Sequence, residues 1–505
     1  MGYTIGVDIG TSGTKSLLID PDGNILAESS AAYPVHMPKP LWTEQDPEDW
    51  WNATVKTIRA VVKKAKVRPA EVQAIGLSGQ MHGSVFLDKS GKVLRPALLW
   101  NDQRTAAECE EITQRAGGRS ELIRMVANPA LTGFTAPKIL WLRNKEPKRF
   151  ERLHKVLLPK DEIRRRLTGE LATDASDASG MLLLDVRNRR WSAELLEKLE
   201  LDPNLLAPVY ESEEITGSLR PEVAAKLGLT PQCQVVAGAG DCAAGAVGNG
   251  IVRRGVLMAS LGTSGVMFVH SDEPQIDEQG RLHTFCHAVH GKWHMMGVTL
   301  SAAGSMQWFV DRLCPELSSR RGTDPYQTLN SEAGEVPPGA AGLFFLPYLA
   351  GERTPHADAH ARACFVGLTG AHGRGHMARA VMEGVAMSLR ESLEIIRSLD
   401  VPVREMRLSG GGAKSALWRQ IMADVMNQAA CTINAEQGPA FGVALLAAVG
   451  AGRFKNIEEA CRATIEVVRK MPPKRAAARS YDKMFPIYQS LYGQLKPAFD
   501  AIAQL

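Results

Sequence analysis

Residues 256–269 read VLMASLGTSGVMFV, two apolar, β-rich runs joined by Gly262-Thr263-Ser264-Gly265. The chain opens on the same device. Residues 3–8 (YTIGVD) and 15–19 (KSLLI) flank Gly10-Thr11-Ser12-Gly13, an identical turn nearly half the chain earlier. Chance can supply one such hairpin, but two at half-chain spacing predict a duplicated domain. Both copies continue as antiparallel meanders. The first passes Pro21-Asp22-Gly23 into a strand over 24–28, and the second runs through strands over 284–289 and 293–298 around His290-Gly291. Glycines in each turn let backbone N–H groups converge on one point, and the Thr and Ser hydroxyls add donors, which suits a phosphate. The same turn also closes hairpins that bind nothing, so a function needs further residues.

Between the two turns lies VAGAGDCAAGAVGNG, residues 236–250, in which one carboxylate, Asp241, stands in a run of Gly and Ala. Ser or Asn would cap a following helix as well as Asp does. Small neighbours leave the carboxylate open to a ligand and let backbone approach it closely. Taken alone, the segment reads equally well as the N-cap of a helix over 242–248 and as a catalytic base. The phosphate turns on either side of it tip the reading toward the base.

The remaining elements follow from local pattern. Asp46 caps and Pro47 opens a helix over 48–64. A strand over 72–77 ends in Ser78-Gly79-Gln80-Met81-His82-Gly83, and one over 97–100 ends in Asn101-Asp102-Gln103-Arg104. Loops leaving strand C-termini are where open α/β sheets bind ligands, so both are pocket candidates. Residues 106–220 read as mostly helical, with breaks at Pro129, Pro137, Pro147 and Pro159. Residues 173–180 (TDASDASG) form a polar loop, able to reach a site or simply to connect. A strand over 234–237 leads to Asp241, and a helix over 301–313 carries Trp308. Val381, Val385, Leu389, Leu393 and Ile396 give the core stripe of a helix over 377–399. A strand over 406–408 runs into Ser409-Gly410-Gly411-Gly412 and a helix starting near Lys414, a close backbone approach for a nucleotide. The turn is not GxGxxG, and GxxxxGK[ST] occurs nowhere in the chain, so neither a Rossmann nor a P-loop reading is supported. Residues 438–442 open a further helix, and the basic tail from Met471 is helical without evident chemistry.

Composition sets the frame. At 505 residues, with 45% apolar and 23% charged residues, the chain predicts two large soluble domains. A net charge of +4 gives no reason to expect nucleic acid or a membrane surface as partner. The densest basic run, Arg164-Arg165-Arg166, reads as a solvated helix face. Eight dispersed Cys without a CxxC pair suggest neither a zinc site nor a disulfide framework. The N-terminus enters a strand directly, so the chain reads as cytoplasmic.

DIGTSGTK, EQDPEDWW, GQMHG, LLWND, GAGDCAAGAVG, SLGTSG, PYLAGERTPH (347–356) and SGGGAKS occur in this order from about residue 3 to about 450. Together they resemble the FGGY carbohydrate kinases, built on the actin-like (ribonuclease H-like) ATPase fold. The resemblance implies an α/β protein of two duplicated domains, residues 1–248 and 249–505, with a cleft between them. It makes Asp241 the base that takes the proton from a sugar hydroxyl, and Met81, His82, Asn101 and Asp102 substrate-binding. Thr11, Ser12, Lys15, Gly262 and Thr263 then hold ATP phosphates, Gly411, Gly412, Ser415 and Trp308 face the nucleoside, and Asp8 sits near Mg²⁺, acting through water. GQMHG resembles the sugar loop of the D-xylulose branch more than that of the glycerol branch. The implied reaction is ATP-dependent formation of D-xylulose 5-phosphate. Ribulose, gluconate or a polyol are alternative acceptors, and an actin-like or chaperone-type ATPase is the non-kinase alternative. The implied partners are a ketose and ATP, with a homodimer allowed. Cys242 departs from the Asn or Gln that many relatives carry after the base, which puts one sugar contact in doubt.

The physical requirements point the same way. Phosphoryl transfer needs mainly alignment and charge neutralisation, which donor turns and one metal can supply. A cleft that closes excludes water as a competing acceptor.

Overall fold

Two sheets repeat one strand order. The computed structural model of the protein describes residues 2–319, 322, 324–434 and 438–505. The first seven-stranded sheet runs Ile215–Ser218, Gln234–Val236, Val72–Gly79, Tyr3–Ile9, Gly13–Ile19, Ile25–Ala32, with Ala239–Gly240 also on Val72–Gly79. The second runs Val467–Met471, Ala430–Ile433, Val403–Ser409, Gly255–Leu261, Gly265–Ser271, Trp293–Thr299, His283–Cys286. Each therefore has an antiparallel edge strand, then parallel strands, then the meander that carries the Gly-Thr-Ser-Gly turn. The repeated turn in the sequence marks a repeated sheet.

Each sheet carries a long helix in the corresponding place. Helix Pro47–Ala65 starts as its sequence prescribes, with the Asp46 side chain accepting from the Glu48 N–H and Pro47 in the first turn. It buries Trp50, Trp51, Val55, Ile58 and Val61. Helix Arg374–Ser398 buries all five residues of the stripe at 381–396.

Helix Gly438–Gly450 is almost uniformly apolar and is buried nearly all round. Although encoded late, it lies on the first sheet, where Thr4 Oγ1 donates to the Ala444 carbonyl at 3.0 Å. Glycines permit the approach. A methyl group at Gly6 would lie 1.8 Å from the Ala440 carbonyl oxygen, and one at Gly442 would lie 1.9 Å from that of Ala244. Ala244 belongs to helix Asp241–Gly248, so the two helices cross backbone to backbone.

Several local expectations are corrected. Pro147 and Pro159 open helices Pro147–Phe150 and Pro159–Thr168, and Pro137 lies in the first turn of Thr135–Lys145. A first helical turn has no use for the N–H that Pro lacks, so these prolines start helices as much as they break them. The third strand extends to Ala32, while the strand expected over 97–100 keeps only Ala97–Leu98. The helix expected over 301–313 is α-helical only over Ala303–Trp308, then widens by one turn. Arg164 lies on no solvated face. It is wholly buried and donates to the Ala172 and Ala237 carbonyls, while Arg165 and Arg166 pair with Glu162.

Residues 173–180 are not a loose loop. They form strand Thr173–Asp174 and helix Ala175–Ser179, buried throughout. Lys160 makes that burial possible, its Nζ standing 2.6 Å from Asp161, 2.7 Å from Asp174 and 3.4 Å from Asp177.

Candidate active site

A cavity of about 900 Å³ opens on the second sheet. Its walls include Gly262, Thr263, Trp308, Gly411, Gly412 and Ser415, six of the nine residues expected to bind ATP. The volume is that of a pocket for a nucleotide-sized ligand. The three consecutive glycines have different tasks. Gly410 has φ +83° and a methyl there would meet the Leu261 carbonyl at 2.7 Å, while one at Gly412 would lie 2.9 Å from Leu261 Cβ. Gly411 faces open space, with nothing within 4 Å. Ser415 caps helix Ala416–Met426 by accepting from the Trp418 N–H at 3.1 Å, and it donates to Asn330 at 2.7 Å. The helix expected near Lys414 thus begins two residues later, after a tight turn over Gly411–Lys414. Thr263 accepts at its carbonyl from the Ala302 and Gly304 N–H groups, which locks the second turn to the start of helix Ala303–Trp308.

The first turn lies outside that cavity. Thr11 Oγ1 accepts from Trp100 Nε1 at 2.9 Å and donates to Gln80 Oε1 at 3.3 Å. Gln45 joins the network, donating to the Thr11 carbonyl at 2.7 Å and accepting from Gln80 Nε2 at 2.9 Å. The first turn is thereby wired to Gln80 of the expected sugar loop. Ser12 is exposed. Lys15 sits opposite Asp8 across the hairpin and pairs with Glu28 at 3.2 Å.

His82 holds a left-handed backbone, φ +67°. Its carbonyl accepts from Lys138 Nζ at 2.8 Å and from Thr135 Oγ1 at 3.0 Å, which pins that conformation. The ring Nδ1 lies 2.7 Å from the Gly180 carbonyl. A carbonyl can only accept, so Nδ1 carries the proton. Burial drags the ring pKa down to about 3, so the imidazole is neutral and Nε2 offers a lone pair. Met81 is buried against the backbone that precedes Asp241, where a methyl at Gly240 would meet Met81 Cγ at 2.8 Å.

Of the other two expected substrate contacts, Asn101 accepts from Thr43 Oγ1 at 2.8 Å. Asp102 is wholly buried and held internally. Both its oxygens accept from Arg104, and one also accepts from the Thr43 N–H.

Asp241 is not the N-cap of its helix. Gly240 takes that place and Asp241 is the first helical residue. The Gly240 N–H donates to Ser176 Oγ at 3.2 Å, and Ser176 in turn donates to Asp174 at 2.5 Å, so the buried segment 173–180 steadies the helix start. Burial raises the Asp241 carboxyl to about 6, against hydrogen bonds from the Cys242 thiol and N–H that lower it. Asp8 comes close because Asp8 and Ala239 both stand in register with Ser78 at the C-terminal edge of the parallel strands. Burial and the Asp241 charge push Asp8 up to about 7, and among the described residues its Oδ1 has no hydrogen-bond partner.

Those two acids, each raised and one with an orphaned oxygen, fit a divalent cation. Among the described residues no cluster of three metal-ligating side chains exists. Mg²⁺ would be held by Asp8 through water, together with phosphate oxygens, as is usual for that ion.

Two hairpin turns, a nucleotide-sized cavity and a partly neutralised pair of acids at a sheet edge define a phosphotransferase. Residues 3–248 match the N-terminal domain, and residues 257–451 the C-terminal domain, of the FGGY family of carbohydrate kinases. The chain belongs to that family, and its fold is the duplicated actin-like ATPase fold. It is 40% identical over 496 residues to a xylulose kinase of Bacillus subtilis, covering 98% of each chain. It superimposes on a ligand-bound xylulose kinase from Lactobacillus acidophilus with a TM-score of 0.93 at 28% identity, covering 99% of this chain and 100% of that one. A gluconate kinase from the same organism gives 0.92 at 28% identity, covering 99% of both.

Sequence reasoning missed two features: the Lys138 clamp on His82 and the Lys160–Asp174–Ser176 support beneath Gly240.

Proposed function

We propose that this protein transfers the γ-phosphoryl group of ATP to the C5 hydroxyl of D-xylulose. The observation that carries the reading is the neutral His82, whose Nδ1–H is committed to Gly180 and whose Nε2 can accept only from a donor such as a sugar hydroxyl. The near full-length relative named xylulose kinase supports the choice of sugar. Asp241 accepts the hydroxyl proton as the sugar oxygen attacks γ-phosphorus. The bond from phosphorus to the β,γ-bridging oxygen breaks, and ADP leaves with its electron pair. Thr11, Ser12 and Lys15 hold the phosphates from one side, and Gly262 and Thr263 from the other. Trp308, Gly411, Gly412 and Ser415 receive the nucleoside, and Met81 fixes the backbone beside the base. Asp8 would hold, through water, the Mg²⁺ that accompanies ATP and would supply neutralisation of phosphate charge. The working units are residues 1–248 and 249–505 in the cytoplasm, with helix Gly438–Gly450 reaching across. ADP release measured across D-xylulose, D-ribulose, gluconate and glycerol tests the reading. D-xylulose should give the highest kcat/KM, with a phosphate monoester at C5 by ³¹P NMR. A preference for gluconate, or hydrolysis indifferent to sugar, would overturn it.

A further inference from the structure

Residues Glu352, Arg353 and Thr354 are pinned to the end of strand Trp293–Thr299. The Glu352 carboxylate accepts from Thr299 Oγ1 and from the N–H groups of Leu300 (3.0 Å) and Arg353 (2.6 Å). Thr354 donates its N–H to the Val298 carbonyl at 2.9 Å and accepts from the Val298 N–H at 3.1 Å. Thr299 faces Gly265 across the ladder, so this anchor lies beside the last residue of the second turn.

The opposite direction leads to the sugar loop. The positive charge of Arg353 acts on both His82 and His283, whose rings stand edge-on to Phe134 at 4.8 and 5.7 Å. Arg353 is half-buried and keeps some access to solvent. Among the described residues no carboxylate forms an ion pair with its guanidinium, and the adjacent Glu352 is already engaged by Thr299, Leu300 and the Arg353 backbone. Only the already engaged Glu352, among the described residues, acts on this guanidinium, so its donors are available to an incoming anion between the second turn and the expected sugar loop. Its planar donor fork fits phosphoryl oxygens, and it stays protonated throughout.

We infer that Arg353 binds the phosphoryl group as it passes from ATP to the acceptor and keeps hold of it as the product's phosphate. The inference rests on the sugar-kinase reading above, and the choice of D-xylulose is separable from it. The experiment uses whichever acceptor of the substrate panel the full-length enzyme turns over best. In R353Q, kcat should fall about 10²- to 10³-fold, the loss typical of one donor to a transition-state oxyanion. KM for the acceptor and for ATP should stay within about threefold, and product inhibition by the sugar phosphate should weaken by at least about tenfold. R353K should recover part of the rate, and added guanidinium ions should partly rescue R353A, which a merely structural role would not allow. ATP affinity by calorimetry confirms that each variant is folded. A raised acceptor KM with kcat unchanged would make Arg353 a sugar contact and overturn the inference. Unchanged product inhibition would overturn it as well.

Discussion

Replacing Asp241 by Asn removes a charge that the fold holds against its own interest. The wild-type carboxyl titrates at about 6 instead of the ordinary 3.8, because burial outweighs the hydrogen bonds from Cys242. At 1.36 kcal/mol per pH unit, that rise corresponds to about 3 kcal/mol, an upper figure because the helix start is partly open to solvent. The sign follows from proton counting. Below about pH 4 the carboxyl is protonated in both folded and unfolded chains and contributes no penalty. From there to about pH 6 the folded chain keeps a proton that the unfolded chain has lost, so stability declines as pH rises; above about pH 6 the full penalty is present. Asn carries no such penalty at any pH. The variant should therefore be more stable than wild type by up to about 3 kcal/mol near pH 8 and by about half that near pH 5. Turnover should fall roughly 10²- to 10⁴-fold, because no group remains to take the hydroxyl proton. Thermal unfolding at the two pH values reads the first effect and ADP release the second. The same titration gives wild-type kcat/KM an acid limb near pH 6 that the variant lacks. A variant less stable than wild type near pH 8 would refute the burial argument, and near-normal turnover in a folded variant would remove Asp241 from the mechanism.

Gly442→Ala should lower both Tm and kcat although the site touches no ligand. The new methyl would sit 1.9 Å from the Ala244 carbonyl, with backbone on both sides, and overpacking of this kind costs about 1–3 kcal/mol. Gly411→Ala, which faces open space, is the control expected to leave Tm unchanged. His82→Ala should lower the ratio of kcat/KM for D-xylulose to that for D-ribulose and leave the ATP KM nearly unchanged, as competition between the two sugars would register. Asn tolerates left-handed backbone, so His82→Asn separates loss of the ring from loss of the loop's conformation.

What could be read from the sequence was local. The repeated Gly-Thr-Ser-Gly turn gave away the duplication because a hairpin's strands and turn are contiguous, and the Asp46–Pro47 helix start and the stripe at 381–396 are equally short-range. The walls of the large cavity on the second sheet were legible for the same reason, since each glycine-rich wall is one continuous segment. The burial of 173–180 was not, because its acids are tolerated only beside Lys160, a residue from a separate helix. Asp102 looked like a ligand group at a strand end, yet Arg104 and the distant Thr43 backbone claim it. Arg353 could not be placed without knowing that its loop fastens to Val298–Leu300, more than fifty positions earlier in a chain of 505.

Helix Gly438–Gly450 has a bearing on how the molecule is made. It lies over the first sheet, at Gly6 and Gly76, yet leaves the ribosome only after more than four hundred other residues have been synthesised. Until then the nascent first sheet shows a bare, glycine-flattened face, and the helix bearing Asp241 lacks the neighbour that fixes its tilt. Completion of the N-terminal half thus waits on the C-terminal half, against the usual order in which the first domain finishes alone. Two copies that began as equivalents have in this way become mutually obligate: neither can be excised, exchanged or expressed separately without stripping the other of part of its interior.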